Sequence, residues 1–342
     1  MLLYALDAHQ PLFAEVASCL QQGIALHEER VFEDGECKLR PMTDPGGQDV
    51  YVMQSLHGEP DCSAHDRLWR LWTFAATLRD HGAARVTAVI PYLAYARKDR
   101  RTKPFDPLSL RHLAQLFEAA GVQRLIALEV HDAAAFENAF RCPIVHVRAS
   151  GVFDALFSDP LWSVSPVAPE RSKPELAQAA QTVSPIAPGP ARWVVASPDP
   201  GGVKRAQLWR ESLQIRLGYE LGFAMLDKRR SAGVVSTQDL VAGDVKAAQV
   251  LLYDDLISSG GTVRRAAQVL RTHGADRVVA VAAHGLFAQH AQDLLAEPAL
   301  DAVVVSDSVP GMRRCAAAQG AGRLRVMSAA ATLARAIESV SR

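Results

Sequence analysis

The sequence predicts an α/β protein of two similar domains, each a mainly parallel sheet flanked by helices. Three observations predict it. Apolar, β-branched runs alternate with amphipathic stretches, the pattern of buried strands joined by helical crossovers. Three segments echo one another: "HGAARVTAVIPY" (81–92), "AGVQRLIALEVH" (120–131) and "HGADRVVAVAAH" (273–284). Each puts Gly where a helix should stop and then runs into a buried strand. The strand-like runs also fall into two sets, before about 148 and after about 190.

The remaining elements follow in order. "FEDGE" (32–36) reads as a hairpin turn, with Gly35 suited to the bend. "QDVYVMQSL" (48–56) is a further buried strand, and "VIPYLAYARKDRR" (89–101) is a strand end followed by a tight turn. Residues 1–148 make the first domain and 149–342 the second. Near the start of the second lies "SDPLWSVSPVAPERSKPELAQAAQTVSPIAPGPA" (158–191), rich in Pro, Ala and Ser and without sustained period. It reads as a surface insertion, partly disordered, with one helical turn near 174–181; a binding segment is the alternative. "ARWVVASPD" (191–199), "AAQVLLYDD" (247–255) and "LDAVVVSDS" (300–308) complete the strands.

Composition narrows the function classes. The chain has 342 residues, 49% of them hydrophobic, enough for a large core and more than one domain. Lys plus Arg and Asp plus Glu both number 37, so net charge points to neither nucleic acid nor an anionic membrane. No apolar run approaches the ~20 residues of a membrane helix. The N-terminus has no basic region and meets Asp7 early, unlike a signal peptide. Five scattered cysteines without CxxC spacing suit free thiols in the cytoplasm better than disulfides or zinc.

The chemistry concentrates in "LLYDDLISSGGTV" (251–263). A buried strand, Val250 to Tyr253, delivers Asp254 and Asp255 to its C-terminal end, where open α/β sheets bind ligands. Ser258, Ser259, Gly260, Gly261 and Thr262 then offer flexible backbone and hydroxyls, with Val263, Ala266, Ala267 and Leu270 at core spacing in the next helix. Successive N–H groups there can form an anion nest. The bland alternative is an ordinary β–α turn capped by Thr262. The acidic pair favours a sugar phosphate: nest for the phosphate, carboxylates for the ribose hydroxyls. This combination resembles the fingerprint of the phosphoribosyltransferase fold.

Eight blocks make the resemblance specific. "FEDGE", "VIPYLAYARKDRR", "EVH" (129–131), "SPDPGGVKRA" (197–206), "LDKRR" (226–230), "GDV" (243–245), "DDLISSGGT" (254–262) and "HGLF" (284–287) occur in the order found in ribose-phosphate pyrophosphokinases. The similarity spans nearly the whole chain except 158–191. It implies a duplicated phosphoribosyltransferase-like fold that moves the β,γ-diphosphoryl group of ATP to the 1-hydroxyl of ribose 5-phosphate, for nucleotide biosynthesis. By that resemblance Asp254, Asp255 and Ser258 to Thr262 bind ribose 5-phosphate, while Lys228 and Arg230 sit on a catalytic loop. His131 and Asp199 match the positions that hold Mg2+, although His is a poor first choice for that ion. Arg97, Lys98 and Asp99 match the ATP site. Phe32, Asp34, Gly35 and Glu36 match a segment that reaches into a neighbour's ATP site, which implies a homodimer building block in a tetramer or hexamer.

Two departures stand out. Lys98 replaces the Gln of the common family, and Ser258 and Ser259 replace Asp-Thr; archaeal-type members also carry Ser there. Three rivals remain: a nucleobase phosphoribosyltransferase, which needs only one such domain; a non-catalytic, synthase-associated regulatory subunit; and a diphosphokinase for another pentose phosphate.

Overall fold

The computed structural model describes residues 1–6, 11–158, 192–227, 230–231, 234–235, 240–287, 291–310 and 323–341. Lys228 and the insertion from residue 159 to 191, with its expected helical turn, lie outside them.

Strands β1 (Leu2–Ala5), β4 (Asp49–Met53), β5 (Arg85–Ile90), β6 (Arg124–Leu128) and β7 (Ile144–Val147) form a five-stranded parallel sheet in that order. Helices α1 (Pro11–Cys19), α2 (Ala64–Asp80), α3 (Ser109–Ala119), α4 (Ala133–Ala139) and α5 (Ser150–Phe153) accompany it. Strands β2 (His27–Val31) and β3 (Cys37–Pro41) make a separate antiparallel hairpin. The second sheet gathers β8 (Arg192–Ser197), β9 (Gly222–Asp227), β12 (Leu240–Ala242), β13 (Ala248–Ile257), β14 (Arg277–Gly285), β15 (Ala302–Ser306) and β16 (Leu324–Met327). Its order is β12-β9-β8-β13-β14-β15-β16, parallel except at β12. Helices α6 (Val203–Leu217), α7 (Gly261–Thr272), α8 (Ala291–Ala296) and α9 (Ala330–Val340) belong to this half of the chain, and a short pair, β10 (Arg230–Ser231) and β11 (Val234–Val235), stands apart.

The two halves repeat one plan. In the second, β8 leads through α6 to β9 on one side, and the chain then returns to β13 on the other. In the first, β1 leads through α1 to Ile24, which makes an isolated parallel bridge to Leu3, before β4 pairs on the other side. The edge strand of the second half is thus reduced to one bridge in the first.

The three echoing segments behave alike. Gly82, Gly121 and Gly274 take φ of 81°, 80° and 88°, the left-handed turn that ends each helix before β5, β6 and β14. The strands they feed are buried almost throughout.

Packing arranges the layers. One core contains Val52, Phe74, Leu113 and Leu125, the outer face of the first sheet under α2 and α3. Another contains Val250, Ala266, Leu270 and Val303, the outer face of the second sheet under α7. A third joins both inner faces: Tyr51, Met53 and Ile126 from the first half share it with Trp193, Trp209 and Tyr253 from the second. The last helix, α9, packs on α1 and on the end of the first sheet, where Arg124 donates to the Val340 carbonyl at 2.8 Å. Burying this joint apolar surface fixes the loops of one sheet over those of the other.

Candidate active site

A cleft of about 600 Å³ opens where these loops meet. It lies at the switch point of the second sheet, between β8 and β13, where open α/β sheets hold their ligands. The sequence places the end of the central strand at Tyr253, but β13 runs on to Ile257. The long partner β14 explains this: it keeps pairing through Ile257↔Gly285, whereas β8 stops at Leu252↔Ala196. Asp254 and Asp255 therefore sit on a strand held from one side only, facing the space that β8 has left.

Ser258 to Gly261 line the cleft with Thr262. Gly260 takes φ 80° and precedes α7 without any side-chain cap. A Cβ at Gly260 would stand 2.9 Å from Leu294, so conformation and space both call for glycine. The first turn of α7 also has no acidic residue. Its leading N–H groups are free to take an anion, aided by the helix dipole.

The carboxylate pair is electrically asymmetric. Burial, and then the neighbouring Asp255, push the Asp254 carboxyl well above the usual range. Burial opposes charge on Asp255 too, but the hydrogen bond from His131 and the nearby Arg205 outweigh it and hold that carboxyl low. His131 Nδ1 lies 2.9 Å from Asp255 Oδ2, and this bond raises the imidazole above its ordinary value. Arg205 stands over both acids, with Nη1 at 3.6 Å from Asp255 and 3.9 Å from Asp254.

The first half contributes Arg97, Asp99 and His131 to the same cleft, and Asp199 enters from the end of β8. Asp199 Oδ1 accepts from the Gly201 and Gly202 N–H groups at 2.9 and 3.2 Å. Lys98 does not line this cleft: its Nζ bonds Asp106 at 2.6 Å and Thr102 at 3.3 Å, closing the loop that follows Arg97. Phe32, Asp34, Gly35 and Glu36 form the tip of the β2–β3 hairpin and do not line it either. Phe32 N–H donates to the Glu36 carbonyl at 2.8 Å, Gly35 takes φ 91°, and Asp34 accepts from the Glu36 N–H. The hairpin turn is thus present, with Asp34, Gly35 and Glu36 exposed. Arg230 lies on β10, and only its backbone falls within the described residues.

For a metal the donor set is sparse. Among the described residues, no three His, Cys, Asp or Glu side chains converge on one point. With Nδ1 on Asp255, His131 would ligate through Nε2, the arrangement in which a carboxylate orients a ligating imidazole. Asp199 adds a carboxylate at the cleft wall. One or two protein donors, with water and phosphate oxygens completing the shell, fit Mg2+ better than an ion that needs a full protein cage.

Sequence reasoning missed Arg205, Glu129 and Arg100. Arg100 and Arg205 line the cleft, while Glu129 lies behind Arg205 in the adjoining pocket. All three fall within the blocks that carried the resemblance, without any local signal to single them out. The four described cysteines form no disulfide with one another, and no helix among the described residues is long and apolar enough to cross a membrane.

Comparison with known proteins agrees with this architecture. Residues 1–121 match the family model of the N-terminal domain of ribose phosphate pyrophosphokinase, and residues 236–341 that of the phosphoribosyl synthetase-associated domain. The chain is 32% identical to the ribose-phosphate pyrophosphokinase of Helicobacter hepaticus, over 90% of this chain and 87% of that one. It is 34% identical to that of Haemophilus ducreyi, over 91% and 86%. The crystal structure of phosphoribosylpyrophosphate synthetase from Mycobacterium smegmatis superposes with a TM-score of 0.77 at 29% identity, covering 99% of this chain and 98% of that one. With two phosphoribosyltransferase-like halves and these relatives, the chain belongs to the ribose-phosphate pyrophosphokinase family.

Proposed function

We propose that this chain transfers the β,γ-diphosphoryl group of ATP to the 1-hydroxyl of ribose 5-phosphate, giving phosphoribosyl pyrophosphate and AMP for nucleotide biosynthesis in the cytoplasm. One observation carries the reading: an uncapped helix N-terminus and a carboxylate pair, buried at Asp255 and half-buried at Asp254, share a cleft with Arg97, Asp99 and His131 of the other half. Neither a phosphate nor a sugar alone calls for both features, whereas a sugar phosphate does.

The N–H groups of Gly261 and Thr262, with Ser258, Ser259 and Gly260, hold the 5-phosphate. Asp254 and Asp255 accept from the ribose hydroxyls and turn the 1-hydroxyl toward the β-phosphorus. Holding two reactants in line can supply several kcal/mol of the barrier, about 7–11 when they are well oriented. Arg97 and Asp99 take the nucleotide, with Lys98 bracing their loop through Asp106. Phe32, Asp34, Gly35 and Glu36 reach a neighbouring subunit's nucleotide, so the working unit is a homodimer within a tetramer or hexamer. Lys228 and Arg230 supply positive charge to the transferring group, where it matters most. Mg2+ held by His131 and Asp199 would neutralise charge on the triphosphate. In the transfer, the 1-oxygen bonds to the β-phosphorus, the bond from that phosphorus to the α,β-bridging oxygen breaks, AMP leaves with that oxygen, and the hydroxyl proton passes to solvent.

The test is product analysis. Incubated with Mg-ATP and ribose 5-phosphate, the protein should form AMP and phosphoribosyl pyrophosphate one to one by mass spectrometry. ADP with a ribose bisphosphate would mean transfer of one phosphoryl group instead and overturn the reading.

A further inference from the structure

The segment Glu129–His131 joins the two halves, and nearly every polar group in it is committed. Glu129 N–H donates to the Val147 carbonyl at 2.7 Å, and its own carbonyl lies 3.1 Å from His284 Nε2. A carbonyl only accepts, so Nε2 carries the proton and the His284 ring is held in one tautomer against Ser308. Val130 N–H donates to His146 Nε2 at 3.3 Å, and the carbonyls of Val130 and His131 both accept from Arg205 Nη2, at 3.2 and 2.8 Å. The Glu129 side chain completes the set: Oε2 accepts from Ala149 N–H at 2.9 Å and Oε1 from Arg205 Nε at 3.1 Å.

Glu129 is 5% exposed and has φ 34°, a left-handed backbone that a side chain of its size rarely adopts. Such a conformation persists only where its surroundings over-determine it. Here the surroundings come from both halves: Val147 from one, Arg205 and His284 from the other, with Ala149 at the boundary between them. The next side chain but one is His131, whose ring faces Asp255.

We propose that Glu129 is a positioning residue: paired with Arg205, it fixes the strained Glu129–His131 bridge and thereby sets the His131 imidazole of one half against the Asp254–Asp255 pair of the other. The assignment rests on the cleft being the site of diphosphoryl transfer. Arg205 is the shared element, since it grips the bridge by Nε and Nη2 and faces both carboxylates by Nη1. Glu129 balances that guanidinium from below and keeps it from collapsing onto Asp255. A buried ion pair kept only for the fold is the competing account, because losing one partner of such a pair destabilises in any case.

A double-mutant cycle separates the two accounts. Glu129→Gln keeps the side chain's size and its acceptor for Ala149 but loses the charge facing Arg205; Arg205→Gln removes the other partner. On full-length protein shown folded by circular dichroism, each single variant should lose about 30- to 100-fold in kcat, the scale of a small misplacement of reacting groups. KM for ATP and for ribose 5-phosphate should stay within about threefold, as for an interaction expressed in the transition state. The double variant should be no slower than the worse single one, since the two act as one unit. Multiplicative losses, or kcat unchanged in Glu129→Gln while its melting temperature falls, would overturn the proposal and leave the functional reading intact. A wild-type protein that forms no phosphoribosyl pyrophosphate would overturn both.

Discussion

The two halves present the same junction in opposite states. In each, the strand central to the plan, β4 or β13, leads through a loop into a helix, α2 or α7. The loop before α2 ends in Ser63, whose hydroxyl accepts from the Asp66 N–H while the Asp66 carboxylate takes the Ser63 N–H in return. That capping box satisfies the leading donors of α2 from within and places a negative charge beside them. The loop before α7 ends in Gly260, with no cap and no acid in the first turn. One helix start is closed to anions and the other is open. The duplication therefore supplies two similar scaffolds that differ in a few side chains at one junction, and in the proposed function the open one takes the phosphate. The first half contributes other loops, those after β5 and β6, to the cleft of the second.

This contrast can be broken. Its largest consequence concerns the charge brought to the open side: Lys228→Ala should lower kcat a hundredfold or more with little change in KM, on the scale of ~3 kcal/mol for a removed transition-state donor. Steady-state kinetics at saturating substrates check it, and a loss under about threefold would remove Lys228 from the reaction. Next is the open junction itself. Gly260→Ala forces a left-handed backbone on a side chain that meets Leu294, and should raise KM for ribose 5-phosphate about tenfold through the strained nest. KM for ATP should hold. The closed junction gives a smaller and different effect: Ser63→Ala should cost about 1 kcal/mol of stability by denaturant titration, with KM for ribose 5-phosphate unchanged.

The smallest effect comes from the joint between the halves. Burial lowers the pKa of His284 and of His146 from 6.5, so the unfolded chain takes those protons more readily. Stability should fall as pH drops below 6.5 toward the lowered values. His131 works the other way, since its partner Asp255 raises it: its contribution is full below 6.5 and is lost as pH rises through the raised value. Melting temperature against pH should therefore decline on the acid side, and His284→Gln should make that decline shallower.

Much of this was legible in sequence because it is local. Glycine stops before β5, β6 and β14 and the core spacing of Val263, Ala266, Ala267 and Leu270 each lie within one element, and the structure reproduces them. The turn in "FEDGE" is equally local. What sequence could not convey depends on partners far along the chain. Arg205 meets Glu129 across 76 positions and His284 meets it across 155, so neither carries a nearby signature. The extension of β13 to Ile257 depends on how far β14 runs beside it. Lys98 reads as a charge for the nucleotide, yet Asp106, eight residues on, takes its ammonium.

The central claim is that ribose 5-phosphate sits at the open junction of the second half. A crystal structure with ribose 5-phosphate bound tests it most directly. The 5-phosphate oxygens should lie at hydrogen-bond distance, about 3 Å, from the N–H groups of Gly261 and Thr262, with ring hydroxyls on Asp254 and Asp255. A sugar phosphate bound at the start of α2, or one whose phosphate faces Arg97 while α7 stays free, would contradict it.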